Sequence, residues 1–169
     1  MTGRRFFRIC GVFFLLAAVL QPLAAQDLTG EVVRVTDGDT FQLELEEVLV
    51  KIRLHGIDTP ELDQPYGDRA REFAALLILG RDVGVQIQDI DRYGRIVGTV
   101  ILPDGRVLNH ELVAAGLAWW YRRYASGDTV LRDLEQEART AERGLWANRQ
   151  AIAPWDWRQG ARPGGQNTD

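Results

Sequence analysis

Two stretches of two-residue alternation set the terms for this chain. Between Thr40 and Leu45, Phe41, Leu43 and Leu45 fall on one side, and Thr40, Gln42 and Glu44 on the other. Between Val48 and Ile57, Val48, Val50, Ile52 and Leu54 share a side while Lys51, Arg53 and His55 share the opposite one. Side chains repeat every second residue only in extended backbone, so both stretches predict strands buried on one face. A strand at Thr29–Thr36 precedes them, with Val33 and Val35 set against Val32 and Arg34. Asp37-Gly38-Asp39 is the turn between, since Asp-Gly suits the backbone angles of a tight hairpin. Three strands joined by short turns make a meander.

The period then changes. Tyr66, Ala70, Phe73, Ala74, Leu77 and Ile78 recur at helical spacing as far as Gly80, which predicts a helix. Strands follow at Val83–Asp89 and Arg95–Leu102, joined through Asp91-Arg92-Tyr93-Gly94, and then a helix around Val107–Ala115 closed by Gly116. A third helix opens on Asp128 as N-cap and carries Leu131, Leu134, Ala138 and Ala141 along one stripe until Gly144. This order predicts a mainly β plus α chain: a five-stranded Greek-key β-barrel of the OB type with three helices. Such barrels bind oligonucleotides or oligosaccharides on one face. A fold alone defines a surface and not a reaction.

The ends of the chain read differently. Arg4, Arg5 and Arg8 precede an apolar run from Ile9 to Leu20, and Ala24 and Ala25 come after the break at Gln21-Pro22. That is the layout of a signal peptide over residues 1–25, so export to the periplasm or the medium is expected. The apolar run is shorter than the roughly 20 residues of a membrane span. Residues 27–149 form the expected domain and 150–169 a C-terminal tail, whose Gly-rich last ten residues are expected to be disordered. The 169 residues carry 20 basic and 24 acidic side chains. Losing residues 1–25 leaves seventeen basic against 24 acidic, a formal charge of −7, and no cysteine. Bulk electrostatic coating of nucleic acid is therefore excluded, and so is a thiolate metal site.

Four clusters could carry chemistry: Asp37-Gly38-Asp39-Thr40, Arg53, Asp58-Thr59-Pro60-Glu61, and Arg92-Tyr93-Gly94-Arg95. Phosphodiester hydrolysis needs an activated water and charge neutralisation at the phosphoryl oxygens. A divalent cation on hard oxygen ligands supplies the second, guanidinium forks suit phosphate oxygens, and a carboxylate can take the proton. Asp39 and Asp58 for the cation, Arg53 and Arg95 for the phosphate and Glu61 for the water would fill every role. Each piece also has a plainer reading. The aspartates could be turn formers, Arg53 could pair with Glu44 across the sheet, and Arg92 and Arg95 could be solvated turn residues. His55 and His110 stand apart from each other and suit structural roles.

The ordered combination, Asp-Gly-Asp-Thr, an Arg-bearing strand running into Gly-Ile-Asp-Thr-Pro-Glu, then Asp-Arg-Tyr-Gly-Arg, resembles the staphylococcal nuclease family over about Thr29 to Trp146. The final Ala-Pro-Trp-Asp-Trp-Arg also looks like the end of many bacterial members. The resemblance implies that Asp39, Asp58 and the Thr59 carbonyl hold Ca2+. It implies that Arg53 and Arg95 contact phosphate, with Glu61 as general base and Asp37 shaping the metal site. Tyr93 matches a tyrosine beside the bound nucleotide, and Arg92 replaces a neighbouring lysine. Family members cleave DNA and RNA with little sequence preference, leaving 3′-phosphate and 5′-hydroxyl ends.

Two departures bear on substrate grip. The lysine-rich excursion before the first helix is shortened to Leu62-Asp63-Gln64-Pro65. The aromatic platform reads Trp119-Trp120-Tyr121-Arg122-Arg123-Tyr124. Tyr121 and Tyr124 with Arg122 are the substrate-binding candidates there, the stacking ring being left open, and Arg92, Arg123 and Lys51 add positive charge. The expectation is an exported, calcium-dependent, sugar-nonspecific nuclease acting as a monomer on DNA and RNA, single strands preferred, with no stable protein partner. The rival reading is a non-catalytic OB-fold module of the cell envelope that binds nucleic acid or protein, or a glycan through the aromatic run.

Overall fold

The computed structural model describes residues 28–163; the expected leader and most of the last ten residues lie outside them. Seven strands are numbered in chain order: β1 Leu28–Val35, β2 Thr40–Leu45, β3 Val48–Leu54, β4 Ile57–Asp58, β5 Asp82–Ile90, β6 Ile96–Ile101 and β7 Trp119–Trp120. The helices are α1 Gly67–Ile78, α2 Leu108–Ala114, α3 Thr129–Thr140 and a short α4 Pro154–Arg158. Strands β1, β2, β3, β6 and β5 close a barrel in that order, and β4 and β7 pair separately. The barrel pairings are antiparallel except β3 with β6, which run parallel with Arg53 opposite Val97. This is the five-stranded mixed barrel of the OB type that the sequence predicts, with a fourth, short helix added.

Alternation fills the barrel where it holds. Phe41, Leu43 and Ile52 are buried, and Val32, Val85 and Val100 meet them from the other strands. In β1 the expected face is wrong: Val32 is fully buried and Val35 packs on the core, while Val33 is exposed. The cause is a register shift between Val32 and Arg34 in the pairing with β2. A bulge of this kind inserts an unpaired residue and bends the strand, as barrel closure needs. At the far end of β3, Val48 stands exposed beside a Glu46–Glu47 turn in which both residues have positive φ.

The strand expected to run unbroken to Ile57 is instead cut after Leu54. Gly56 takes φ +72°, and the chain restarts as β4, paired Asp58 to Trp119 and Ile57 to Trp120 of β7. That break carries Asp58 off the barrel wall. Helix α1 presents buried Ala70, Ala74 and Ile78 to the core, with Phe73 and Leu77 beside them. Tyr66 precedes it in a left-handed conformation rather than as its first residue. The Asp128 carboxylate accepts from the Leu131 amide at 2.9 Å and starts α3 as expected. Along α3, Leu131 and Ala138 are buried, Ala141 is exposed, and the surprise is Glu135, 4% exposed.

Candidate active site

The first carboxylates come from the β1–β2 turn. Asp37 accepts the Asp39 amide at 3.0 Å, an Asx turn that sets the direction in which β2 begins. Gly38 is needed here for space rather than for unusual angles: a Cβ would sit 2.8 Å from both the Ala70 Cβ and Thr59 side-chain atoms. The turn thereby presses against α1 and the β4 end. Burial raises the Asp37 carboxyl above its ordinary value, with Arg53 and Thr40 offsetting part of the effect.

Asp39 is 5% exposed and Asp58 1%. Asp39 Oδ2 accepts from the Thr59 amide at 2.8 Å and the Thr59 hydroxyl at 2.9 Å, and its Oδ1 accepts from the Thr40 hydroxyl at 3.2 Å. Arg53 lies across both acids. Its Nη1 ion-pairs with Asp39 Oδ1, and its Nη2 donates to Asp58 Oδ1 at 2.8 Å. The cross-strand pairing with Glu44 does not form; Glu44 stands opposite Leu49 and Arg53 opposite Thr40. Burial pulls the Arg53 guanidinium below its ordinary value, while Asp58 and Asp37 push it back up.

Glu61 sits just past β4 on the short loop to α1. Gln64 holds that loop: its Oε1 accepts from the Glu61 amide at 3.2 Å, and its own amide donates to the Glu61 carbonyl at 2.9 Å. Gly67 lets the loop close, because a Cβ there would collide with the Glu61 carbonyl. The residues set apart as a tail complete the arrangement. Gln64 Nε2 donates to the Ile152 carbonyl at 2.7 Å, and the Trp157 indole donates to Asp63 at 3.2 Å. Arg158 at the end of α4 donates to Asp58 Oδ2 at 2.7 Å and to Glu61 Oε1 at 2.5 Å. Burial opposes the charge on Arg158, but the hydrogen bonds to Asp58 and Glu61 outweigh it and hold the guanidinium above its ordinary value.

Arg95 enters from the β5–β6 turn, where Asp91 accepts its amide at 3.0 Å and its Nε at 2.6 Å. It directly precedes β6, whose Ile96 and Val97 stand opposite Ile52 and Arg53, so it belongs to the same end of the barrel. Tyr93 is exposed, with the Arg92 and Arg95 guanidinium groups 5.0 and 5.6 Å from its ring centre.

The aromatic run builds a neighbouring cleft of about 440 Å³. Tyr121 stacks on Trp155 of α4 (4.9 Å between ring centres, 8° between planes) and meets Tyr124 edge-on at 5.0 Å. Trp119 meets Trp155 edge-on at 5.7 Å, and its indole N–H finds no acceptor among the described residues. Arg122 covers the Trp120 ring at 4.8 Å and Arg139 covers Trp119 at the same distance. Since Trp119 pairs with Asp58, the cleft adjoins the carboxylates.

The donor set suits a hard divalent cation. Two almost wholly buried carboxylates lie within the span of one guanidinium, and burying such charges demands cationic partners. Among the described residues no three His, Cys, Asp or Glu side chains form a metal cage, so Asp39, Asp58 and a backbone carbonyl would leave the remaining positions to water and substrate. The structure brings the candidates Asp39, Arg53, Asp58 and Glu61 together, leaves Arg95 bonded to Asp91 nearby, and adds Gln64, Glu135, Trp155 and Arg158, which the sequence did not single out. The terminal Trp-Asp-Trp-Arg was the signal available for the last two.

Residues 51–148 match the family described as staphylococcal nuclease homologue, and the chain belongs to it. Fold and site thus define a protein of a nuclease family. It is 44% identical over 137 residues to an Escherichia coli protein named as an uncharacterized endonuclease, covering 81% of this chain and 89% of that one. It is 38% identical over 168 residues to the Escherichia coli protein ParB, covering 94% and 95% of the two chains. With a Shigella flexneri protein named micrococcal nuclease it shares 38% over 145 residues, covering 80% and 83%.

Proposed function

We propose that this chain is an exported, calcium-dependent nuclease that hydrolyses DNA and RNA to 3′-phosphate and 5′-hydroxyl ends, acting as a monomer. One observation carries the reading: Arg53 bridges Asp39 and Asp58, and Arg95 sits on the β5–β6 turn just ahead of the Ile96 and Val97 that pair with Ile52 and Arg53. Asp39, Asp58 and the Thr59 carbonyl would hold the cation, which when bound neutralises charge building on a phosphoryl oxygen. Arg53 and Arg95 offer their N–H groups to the other phosphoryl oxygens. Glu61 takes the proton of the attacking water; the water oxygen bonds to phosphorus, the bond to the 5′ oxygen breaks, and that oxygen takes a proton from solvent to leave as a hydroxyl. The phosphate stays on the 3′ side.

The aromatic cleft supports a preference for single strands. Bases freed from a duplex can stack on Tyr121, Tyr124 or Trp119, each worth about 1–3 kcal/mol, with Tyr93 beside the phosphate arginines. Arg122, Arg123 and Arg92 supply local positive charge against an acidic whole. Export rests on the n-region Arg4, Arg5 and Arg8 and the apolar run behind it.

The test is digestion of RNA, single-stranded DNA and duplex DNA by the purified chain, with calcium or with chelator, and end-group analysis of the products. Expected are calcium-dependent cleavage, faster on single strands, and 3′-phosphate ends. The Glu61→Gln variant should lose about 10²–10⁴-fold in rate, the worth of a positioned general base, with an unchanged circular dichroism spectrum. Binding of DNA without cleavage in calcium would return the chain to the non-catalytic reading.

A further inference from the structure

Arg158 lies 97 residues from Glu61 and 100 from Asp58, yet its guanidinium spans both. Nη2 meets Asp58 Oδ2 at 2.7 Å, Nη1 meets Glu61 Oε1 at 2.5 Å, and a longer Nη1 contact of 3.4 Å reaches Asp58 Oδ1. The placement does not depend on Arg158 itself. Trp157 is buried and bonded to Asp63, the Ile152 carbonyl is bonded to Gln64, and Trp155 is stacked on Tyr121. With Arg53 on Oδ1 and Arg158 on Oδ2, both oxygens of Asp58 are committed to guanidinium groups.

We propose that Arg158 is a positioning residue of the cation site: a built-in counter-charge that draws Asp58 and Glu61 together and that a divalent cation must displace from Asp58 in order to bind. The inference rests on reading the site as a divalent-cation nuclease centre. A two-pronged fork suits the task, because one prong can release Asp58 while the other keeps Glu61. The anchors around Trp155 and Trp157 hold α4 in place during the exchange. Arg158 therefore sets the calcium concentration at which the site fills, and it does so from outside the barrel.

The test is calorimetric titration of the full chain with calcium, without substrate, for wild type, Arg158→Gln and Arg158→Lys, alongside thermal melts in chelator. Removing the fork should tighten calcium binding by about tenfold, the size of a charge-assisted pair discounted for a guanidinium that is partly in solvent. Lysine keeps the charge without the fork and should fall between. In chelator, Arg158→Gln should melt below wild type, since Asp58 and Glu61 lose a counter-charge. Tryptophan fluorescence reports whether Trp155 and Trp157 stay docked. A wild type that binds calcium, with an Arg158→Gln variant that binds it equally or more weakly, overturns the counter-charge role and leaves the nuclease reading standing. If Arg158→Gln undocks α4, the lysine variant decides: tighter binding than wild type supports the role, and equal or weaker binding overturns it. A chain that binds no calcium with or without Arg158 overturns both.

Discussion

Glu135 is the residue whose removal should reveal most about how the site is held. It is 4% exposed on α3, its Oε1 accepts from the Trp120 amide at 3.2 Å, and Arg139 and Arg122 approach it at 3.4 and 3.9 Å. Breaking a fully buried ion pair costs about 3–5 kcal/mol. Here both arginines reach solvent, so their charges rehydrate and that part shrinks to a fraction of about 1 kcal/mol. What remains is the buried amide of β7, left without an acceptor at about 1–3 kcal/mol. Glu135→Ala should therefore lose about 2–3 kcal/mol in urea unfolding monitored by tryptophan fluorescence. Glu135→Gln, which keeps a carbonyl oxygen for the amide, should lose less than about 1 kcal/mol. Because Trp119 and Trp120 pair with Asp58 and Ile57, the alanine variant should also weaken calcium binding, although Glu135 holds no cation itself. Equal losses in the two variants would refute the hydrogen-bond account and make the charge responsible.

Three other substitutions probe the geometry elsewhere. Gly67→Ala drives a methyl into the Glu61 carbonyl and should lower stability by about 1–3 kcal/mol, with nuclease rate falling beyond what the unfolded fraction explains. Burial holds His110 below its ordinary value, against the pull of Asp128 and Glu111. Its contribution is thus complete above about pH 6.5 and lost as pH falls from there through the folded-state value, with a slope no steeper than about 1.4 kcal/mol per pH unit. Urea melts between about pH 7.5 and 5 should show His110→Gln without that slope. Glu47→Gly relieves a positive φ of 70° at the exposed hairpin turn and should stabilise the chain by about 0.5–1 kcal/mol; a melting temperature that drops would count against the strain.

Local chemistry made the barrel readable. Phe41, Leu43 and Ile52 announce their faces by alternation, and Asp128 announces α3 by its cap. The candidate site could be picked out because Asp39, Arg53 and Asp58 stand close in sequence, on a turn, on β3 and on the short β4 that follows it. What stayed hidden depends on distant partners or on backbone detail. The bulge that turns Val33 outward is invisible to a two-residue period, and the break at Gly56 resembles continued strand until φ is known. Glu135 looks like any exposed acid of an amphipathic helix. Arg158 looks like a tail residue until Trp157 finds Asp63.

The docking of α4 also imposes an order on biosynthesis. Ile152, Trp155, Trp157 and Arg158 leave the ribosome after every barrel strand, and translation delivers domains from the amino end. A nascent polypeptide can therefore close its barrel while the loop bearing Glu61 still lacks the clasp that tethers it. The Glu61 loop is thus tethered last, by the same short segment whose Arg158 bonds Asp58 and Glu61.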